Sequence, residues 1–184
     1  MMKDLSMDYL VKPDMDVHQQ YVSSDMPDWS RERKRFMEWA PWKSLLASIR
    51  AYQLYKRSSN PIARLVLKKI AVLRHIFWSA VTGTDIPLNT TIGGGLMIPH
   101  PNGIVIHANA VIGPNCLIFQ QVTIGSRVGE AAPVIGGHVD IGAGAKVLGN
   151  ITIGDHVQIG ANSVVLHDIP AGKTAVGIPA RLVD

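Results

Sequence analysis

The chain has 184 residues, of which 47% are apolar and 17% charged, and its formal net charge is +4. This length allows one domain with a sizeable core and a small appendage. The one cysteine, Cys116, excludes an internal disulfide and a multi-cysteine zinc site, and it suits a reducing compartment such as the cytoplasm. We expect no signal peptide and no membrane span, because the first residues lack a basic start and no apolar run is long enough.

The charge is unevenly distributed along the chain. Residues 1–30 carry six aspartates against two lysines, whereas residues 31–75 carry twelve Lys and Arg against two glutamates. A basic segment can bind nucleic acid or an anionic membrane. We interpret these cations as the solvated sides of helices and expect no nucleic-acid partner, because no base-reading module is recognisable.

Residues 1–29 are polar and contain Pro13 and Pro27, which predicts a loosely ordered arm. Residues 30–82 are predicted to form an N-terminal helical region. In its first helix, one face is expected to hold Leu45, Leu46, Ile49 and Leu54.

A second helix is predicted from Pro61, which suits a first helical position, with Asn60 as a candidate cap. Apolar residues recur there at helical spacing: Ile62, Leu65, Val66, Ile70, Leu73 and Ile76. We expect this face to pack on the rest of the protein. The alternative is weak peripheral membrane contact, which the basic and aromatic content of the helix favours.

From about residue 84 a branched residue recurs every six positions, which no helix can accommodate. The positions are Ile106, Ile112, Ile118 and Ile124, then Ile135, Ile141, Val147, Ile153, Ile159 and Val165. This period predicts stacked triangular coils of about eighteen residues, with the branched side chains inside. Glycine often follows the branched residue, and we expect it at turns where other residues would be strained. Cys116 is predicted to be a small core residue.

The segment "SRVGEAAP", residues 126–133, interrupts the repeat. It is polar and out of register, so it predicts a loop that leaves the coil. Loops on a rigid scaffold often carry function.

Residues 83–183 resemble the hexapeptide-repeat acyltransferases, in particular the serine acetyltransferase-like branch, close to the O-acetyltransferases of polysaccharide biosynthesis. The resemblance is carried by "GTDIPLNTTIGGGLMIPHPNGIVI", "QQVTIG", "IGAGAKVLGNITIG", "IGANSVVLHDIP" and "AVGIPARLV". It implies a mainly β protein: a left-handed parallel β-helix over residues 83–184, including a C-terminal tail, after the helical segment. It also implies a homotrimer, with higher assembly through the N-terminal helices, and acetyl-coenzyme A as co-substrate without a metal.

His100 matches the catalytic histidine of the family. An imidazole titrates near neutrality and can deprotonate an acceptor hydroxyl as its oxygen attacks the thioester. Pro99 and Pro101 would fix the backbone around it. Asp85 matches the aspartate that in this family lies fifteen residues before the histidine and holds its tautomer.

The resemblance also implies a coenzyme groove along the C-terminal coils. Ala143 and Ala161 match contact positions where a small side chain admits the pantetheine arm, and Gly125 and Ser126 fall near the thioester. Lys173 and Arg181 are candidates for the coenzyme phosphates.

The chain departs from serine acetyltransferases at the acceptor positions. Pro99 stands where that family has an aspartate, and Ala131 and Ala132 stand where it has an Arg-His pair, although Arg127 or Glu130 could substitute. A zwitterion needs fixed opposite charges, so we expect a sugar hydroxyl as acceptor, with L-serine as the alternative.

Two other classes share this kind of repeat. A γ-type carbonic anhydrase needs three convergent zinc ligands. The repeat does contain several histidines, but they lack the four-residue intervals of that family: His100, His107, His138, His156 and His167. A non-enzymatic scaffold would have no reason to combine Asp85, His100 and the closing "GIPARLV".

Overall fold

The computed structural model describes residues 22–61 and 63–183. A short 3-10 helix, Trp29–Glu32, precedes α1, Pro41–Lys56. A π-helical segment, Ala63–Leu67, leads directly into α2, Lys68–Thr82, which ends at Gly83 in the left-handed conformation. At the start of this helical region, the N–H of Arg64 donates to the carbonyl of Asn60 at 2.9 Å. The predicted N-terminal helical segment is therefore present.

Short strands follow α2, thirteen of them within the described residues. In chain order they are β1 Thr91–Ile92, β2 Val105–Ile106, β3 Val111–Ile112, β4 Leu117–Ile118, β5 Thr123–Gly125, β6 Val134–Ile135, β7 Asp140–Ile141, β8 Lys146–Leu148, β9 Thr152–Ile153, β10 Gln158–Ile159, β11 Val164–Val165, β12 Thr174–Gly177 and β13 Ala180–Val183.

The strands form three sheets, which are the walls of a triangular prism. The first wall has the order β1-β3-β6-β9, the second β13-β12-β10-β7-β4, and the third β11-β8-β5-β2. All pairings are parallel except β12 with β13. The chain turns a corner each time it passes from one wall to the next. The first corner joins the first wall to the second, the second corner joins the second wall to the third, and the third corner joins the third wall to the first.

The register shows where residues are inserted into the coils. Val105 lies opposite Thr123, eighteen residues later, which is one regular coil. Thr91 lies opposite Val111, twenty residues later, so the first coil holds two extra residues. Thr123 lies opposite Lys146, twenty-three residues later, and the extra five fall between β5 and β6. Both insertions therefore lie at corners.

The inward positions of the repeat are confirmed. All ten branched residues predicted to point inward are at most 3% exposed. Cys116 is also buried, with its Sγ 3.2 Å from the carbonyl oxygen of Gly136. Burial raises the pKa of this thiol to about 12, so its reactive thiolate form is suppressed at neutral pH.

The reason predicted for the repeat glycines is wrong. Gly113 and Gly142 do not have positive φ values, but a Cβ on Gly113 would lie 2.4 Å from the carbonyl carbon of Gly136. A Cβ on Gly142 would lie 2.5 Å from the backbone nitrogen of Ala161. These glycines are needed because neighbouring coils approach closely. Left-handed residues lie instead in the turns, at Gly95, Asn115, His138, His156 and Gly172 of the first corner and Gly103, Gln121, Gly144 and Asn162 of the second.

Residues 22–28 lie against the first corner. The Asn115 side chain accepts from the N–H of Asp28 and donates to the carbonyls of Ser23 and Met26, each at 2.8 Å. This part of the predicted arm has no helix or strand before Trp29, yet hydrogen bonds hold it to the coils. The rest of the predicted arm, residues 1–21, lies outside the described residues.

Helix α1 joins the helical region to the coils. Its predicted face is confirmed at Leu45, Leu46 and Ile49, which are buried, and wrong at Leu54, which is 66% exposed near the end of the helix. The Arg50 guanidinium donates to the carbonyls of Ile92 and Gly93 at 2.6 Å each and so fixes α1 to the first coil.

The expectation that the apolar face of the second helix packs on the protein is wrong for the described residues. Helix α2 packs against α1 and buries Ala71 and Thr82 from its other side. The predicted apolar face remains 47–67% exposed, at Leu65 and Val66 of the π-helical segment and at Ile70, Leu73 and Ile76 of α2. Ile62 lies outside the described residues.

Two histidine rings meet edge to face at the first corner. The Nδ1 atoms of His138 and His156 are 2.8 Å apart and their ring centroids 5.0 Å apart. Burial lowers the pKa of His138, Asp140 acts in the opposite direction, and His156 and Arg31 lower it further. The neutral form of His138 is therefore favoured in the folded chain.

We expect Gly113→Ala to lower the free energy of unfolding by roughly 1–3 kcal/mol, because the added methyl group must push two coils apart. Gly125→Ala is the matched control, since its Cβ would meet nothing closer than 3.5 Å. Urea unfolding of both variants measures the difference. Equal stability of the two variants would show that coil contact does not require the glycine.

The lowered pKa of His138 predicts a pH dependence of stability. As pH falls, the unfolded chain takes up this proton before the folded chain, so stability is fully present above about pH 6.5 and declines below it. His138→Asn, which suits a left-handed φ, should give a shallower decline in thermal unfolding temperature between neutral and mildly acidic pH. An unchanged slope would exclude His138 as a contributor.

Candidate active site

The two extra residues of the first coil form the loop that carries His100. The chain leaves the second wall at Met97, turns through Pro99–Gly103 and enters the third wall at β2. The N–H of Gly103 donates to the carbonyl of Gly83 at 2.8 Å, and that of Ile104 to Pro101 at 3.2 Å. His100 is exposed on this loop, and its imidazole makes no hydrogen bond with any residue that the structure describes.

A ladder of backbone hydrogen bonds continues from this loop along the second corner. The N–H of Gln121 donates to the carbonyl of Asn102 at 2.9 Å, and that of Gly144 to Gln120 at 2.8 Å. The N–H of Asn162 then donates to Ala143 at 2.8 Å. Since coils stack at about 4.8 Å, Ala161 lies three coils, or about 14 Å, along the edge from the His100 loop. The structure thus brings His100, Ala143 and Ala161 to one edge of the prism.

Asp85 begins the third wall, on the rung next to the His100 loop, where a rung is the segment that one coil contributes to a wall. Its N–H donates to the carbonyl of Ile104 and its carbonyl accepts from Ile106, both at 2.9 Å. Its exposed carboxylate makes no hydrogen bond with His100. The same carboxylate raises the pKa of His75, against the larger lowering caused by burial of that ring. Asp85 and His100 are therefore on adjacent rungs and share no hydrogen bond or ion pair.

The His100 loop forms one wall of a cavity of about 580 Å³ that opens between the coils and the helical region. None of its lining residues is an acid, a lysine or an arginine, and they are Trp39, Ala40, Pro41, Trp42, Val81, Thr82, Pro99, His100, Pro101, Asn102 and Gln120. Gln120 Oε1 is buried and has no hydrogen-bond partner among the described residues. The cavity therefore offers neutral and aromatic groups beside the imidazole.

The helical part of this cavity was not predicted from the sequence. Gln120 could have been found, because it lies one coil after His100 at the same corner. Trp39 and Trp42 carry no such signal, since the repeat does not determine where the helical region packs.

Three of the predicted coenzyme residues lie away from the second corner. Gly125 ends β5 and Ser126 follows it, at the third corner, across the width of the third wall. Lys173 is exposed just before β12, at the first corner. Arg181 lies on β13 opposite Val176, near the second-corner end of that strand pair, and it lines a separate cavity of about 170 Å³ with His167 and Asp168. One copy of the chain does not bring the first three residues to Ala143 and Ala161.

The loop 126–133 contains an internal ion pair. Arg127 Nε lies 3.0 Å from Glu130 Oε2, which also accepts from the N–H of Asn150 at 3.1 Å. Ala131 is exposed and Ala132 buried. The two charged residues that could replace the missing Arg-His pair are thus engaged with each other.

Two classes of feature are absent from the part of the chain that the structure describes. No group of three or more His, Cys, Asp or Glu side chains is arranged to hold a metal ion. None of the helices there is both long enough and apolar enough to cross a membrane.

Comparison with known proteins finds serine acetyltransferases among the relatives of this chain. The sequence pattern of the family described as bacterial transferase hexapeptide (six repeats) matches residues 132–167. A serine acetyltransferase of Synechococcus elongatus is 41% identical over 136 residues, which cover 72% of this chain and 52% of that protein. The chain therefore spans about half the length of this curated relative.

Solved structures of the same kind are similar in fold. Soybean serine acetyltransferase complexed with serine is 36% identical, with a TM-score of 0.58, over 76% of this chain and 70% of that one. Serine acetyltransferase of Brucella abortus in complex with coenzyme A is 34% identical, with a TM-score of 0.67, over 79% and 56%. The hexapeptide repeat and these neighbours imply that the parallel coils form a left-handed β-helix.

Proposed function

The chain belongs to the hexapeptide-repeat transferase family, with serine acetyltransferases as its homologues, and we propose that it is an acetyl-coenzyme A dependent O-acetyltransferase. The observation that carries the proposal is the line along the second corner. It begins at an exposed histidine in a two-residue insertion and continues past small residues at Ala143 and Ala161. Acetyl-coenzyme A is a long molecule with its thioester at one end. An extended corner with a base at one end suits it, because the thioester and the acceptor would meet beside the imidazole.

In the proposed mechanism, the His100 imidazole removes the proton of the acceptor hydroxyl. The freed oxygen attacks the acetyl carbonyl carbon, and the carbon–sulfur bond breaks when the tetrahedral intermediate collapses. The imidazolium returns its proton to the departing thiolate, so the products are an acetyl ester and free coenzyme A. General base assistance of this kind contributes about 10²- to 10⁴-fold to the rate.

Asp85 is proposed to position the His100 ring. Its place on the adjacent rung supports this role, because that rung lies next to the His100 loop and both side chains are exposed. Catalytic hydrogen bonds are often long in structures without substrate and form when substrate binds. The carboxylate would then stabilise the imidazolium that forms during transfer.

We further propose a homotrimer in the cytoplasm. Gly125 and Ser126 lie across the third wall from His100 within one copy, so a cleft between two copies could bring a second corner and a third corner together. Lys173 and Arg181 remain candidates for the coenzyme phosphates, since both side chains are exposed near the last coils.

L-serine is the proposed acceptor. This choice is supported by the relatives, which are serine acetyltransferases, one of them solved in complex with serine. It replaces the expectation of a sugar acceptor, because the comparisons contain no support for closeness to polysaccharide acetyltransferases. A sugar hydroxyl stays as the second candidate on one observation: the cavity beside His100 is lined by two tryptophans and, the imidazole apart, by no ionisable side chain.

The role of His100 predicts that His100→Ala lowers the turnover number by roughly 10²- to 10⁴-fold while coenzyme A binding is retained. Thiol release reports turnover, and calorimetric titration reports coenzyme binding. His138→Asn is the matched control, because that ring lies at the first corner, where its Nδ1 is 2.8 Å from that of His156. Turnover equal to wild type in His100→Ala would remove the mechanism.

The acceptor is decided by thiol release with L-serine beside a panel of neutral sugars and nucleotide sugars. We expect L-serine to give the highest kcat/KM. If a sugar does so, Trp42→Ala should raise the KM for that sugar, because aromatic faces bind sugar rings through their apolar sides. Transfer to none of these acceptors would contradict both candidates.

A further inference from the structure

Helix α2 and the π-helical segment before it expose a continuous apolar stripe. Its residues, 47–67% exposed, are Leu65, Val66, Ile70, Leu73, Ile76 and Phe77. At 1.5 Å per residue the stripe is about 18 Å long. A soluble monomer rarely leaves such a patch uncovered, so the stripe indicates an interaction surface.

Aromatic rings extend the stripe at the C-terminal end of α2. Phe77 contacts Trp78 edge to face, with ring centroids 5.0 Å apart, and Trp39 lies 6.2 Å from Trp78 in a similar arrangement. Trp39 is 78% exposed. Tryptophan rings that are apolar on their faces and polar at the N–H are favoured where lipid tails meet water.

The charge around the stripe has one sign. Residues 41–82 contain eight Lys and Arg and no Asp or Glu. Four of these cations flank or interrupt the stripe, at Arg64, Lys68, Lys69 and Arg74, and no carboxylate in the described ranges lies within ion-pair distance of them. A second copy stacked face to face would bring like charges together, whereas anionic lipid headgroups would neutralise them.

We propose that this stripe binds the surface of an anionic phospholipid bilayer. Helix α2 lies in the plane of the interface, with Leu73 and Phe77 toward the acyl chains and the flanking cations on the headgroups. Binding is peripheral, through one helix face, and it does not depend on the proposed catalytic function.

The test is sedimentation of the full chain with vesicles of phosphatidylcholine alone and vesicles in which part of it is replaced by phosphatidylglycerol. We expect binding to the anionic vesicles that weakens with added salt. Leu73→Glu/Phe77→Glu should reduce the partition coefficient roughly tenfold or more, and Lys68→Gln/Lys69→Gln should reduce it on anionic vesicles only.

The matched control is Val128→Glu/Ile178→Glu, which adds the same charge at two exposed apolar residues outside the helical region and should leave binding near wild type. Unchanged thermal unfolding of each variant establishes that it is folded. Equal binding to neutral vesicles, or no binding to anionic ones, would overturn the proposal. So would a smaller oligomer of Leu73→Glu/Phe77→Glu in light scattering, which would show that another copy covers the stripe.

Discussion

The structure depends on the contact between one coil and the next. Each coil places branched side chains inside and lets its backbone meet the backbone above, at 2.8 Å between the N–H of Gly113 and the carbonyl of Ile135. A Cβ at Gly113 or Gly142 would occupy the space of the neighbouring coil. Glycine at these places and β-branched residues at the inward places therefore serve one requirement, which is a stack with no gap between rungs. The hydrogen-bonded walls depend on that stack, because a strand held too far from the neighbouring coil cannot form hydrogen bonds with it.

A stack of this kind tolerates extra residues only where no wall is interrupted. Both insertions in the described coils lie at corners, and the strands on each side keep their pairing. The first insertion exposes His100 on a loop whose backbone is held by Gly83 and by Gln121. The second forms the loop between β5 and β6, where Arg127 and Glu130 pair with each other. The rigid walls thus fix the positions of the corner loops, and those loops carry the residues that are free to act on a ligand.

The coils could be predicted from the sequence because a six-residue period is unusual and each position of the repeat always has the same surroundings. The inward residues from Ile106 to Val165 could be named in advance. The helical region was less predictable, since Leu45 and Leu73 have the same helical periodicity and differ only in what lies beside them. Leu45 meets the first coil and is buried, whereas Leu73 faces away from α1 and is 67% exposed. A period shows that a face is apolar but not which partner covers it. The cavity beside His100 was missed for the same reason, because its tryptophans come from the helical region.

The exposed helix face and the candidate active site are neighbours in space. Trp39 and Val81 line the cavity beside His100, and both also belong to the exposed apolar surface around α2. A bilayer bound by α2 would therefore lie close to the mouth of the cavity. An acceptor in free solution gains nothing from this proximity, whereas an acceptor anchored at an interface would be presented to the imidazole over a short distance. Lipid binding and acceptor choice are separate properties, and the fold places Trp39 beside both surfaces.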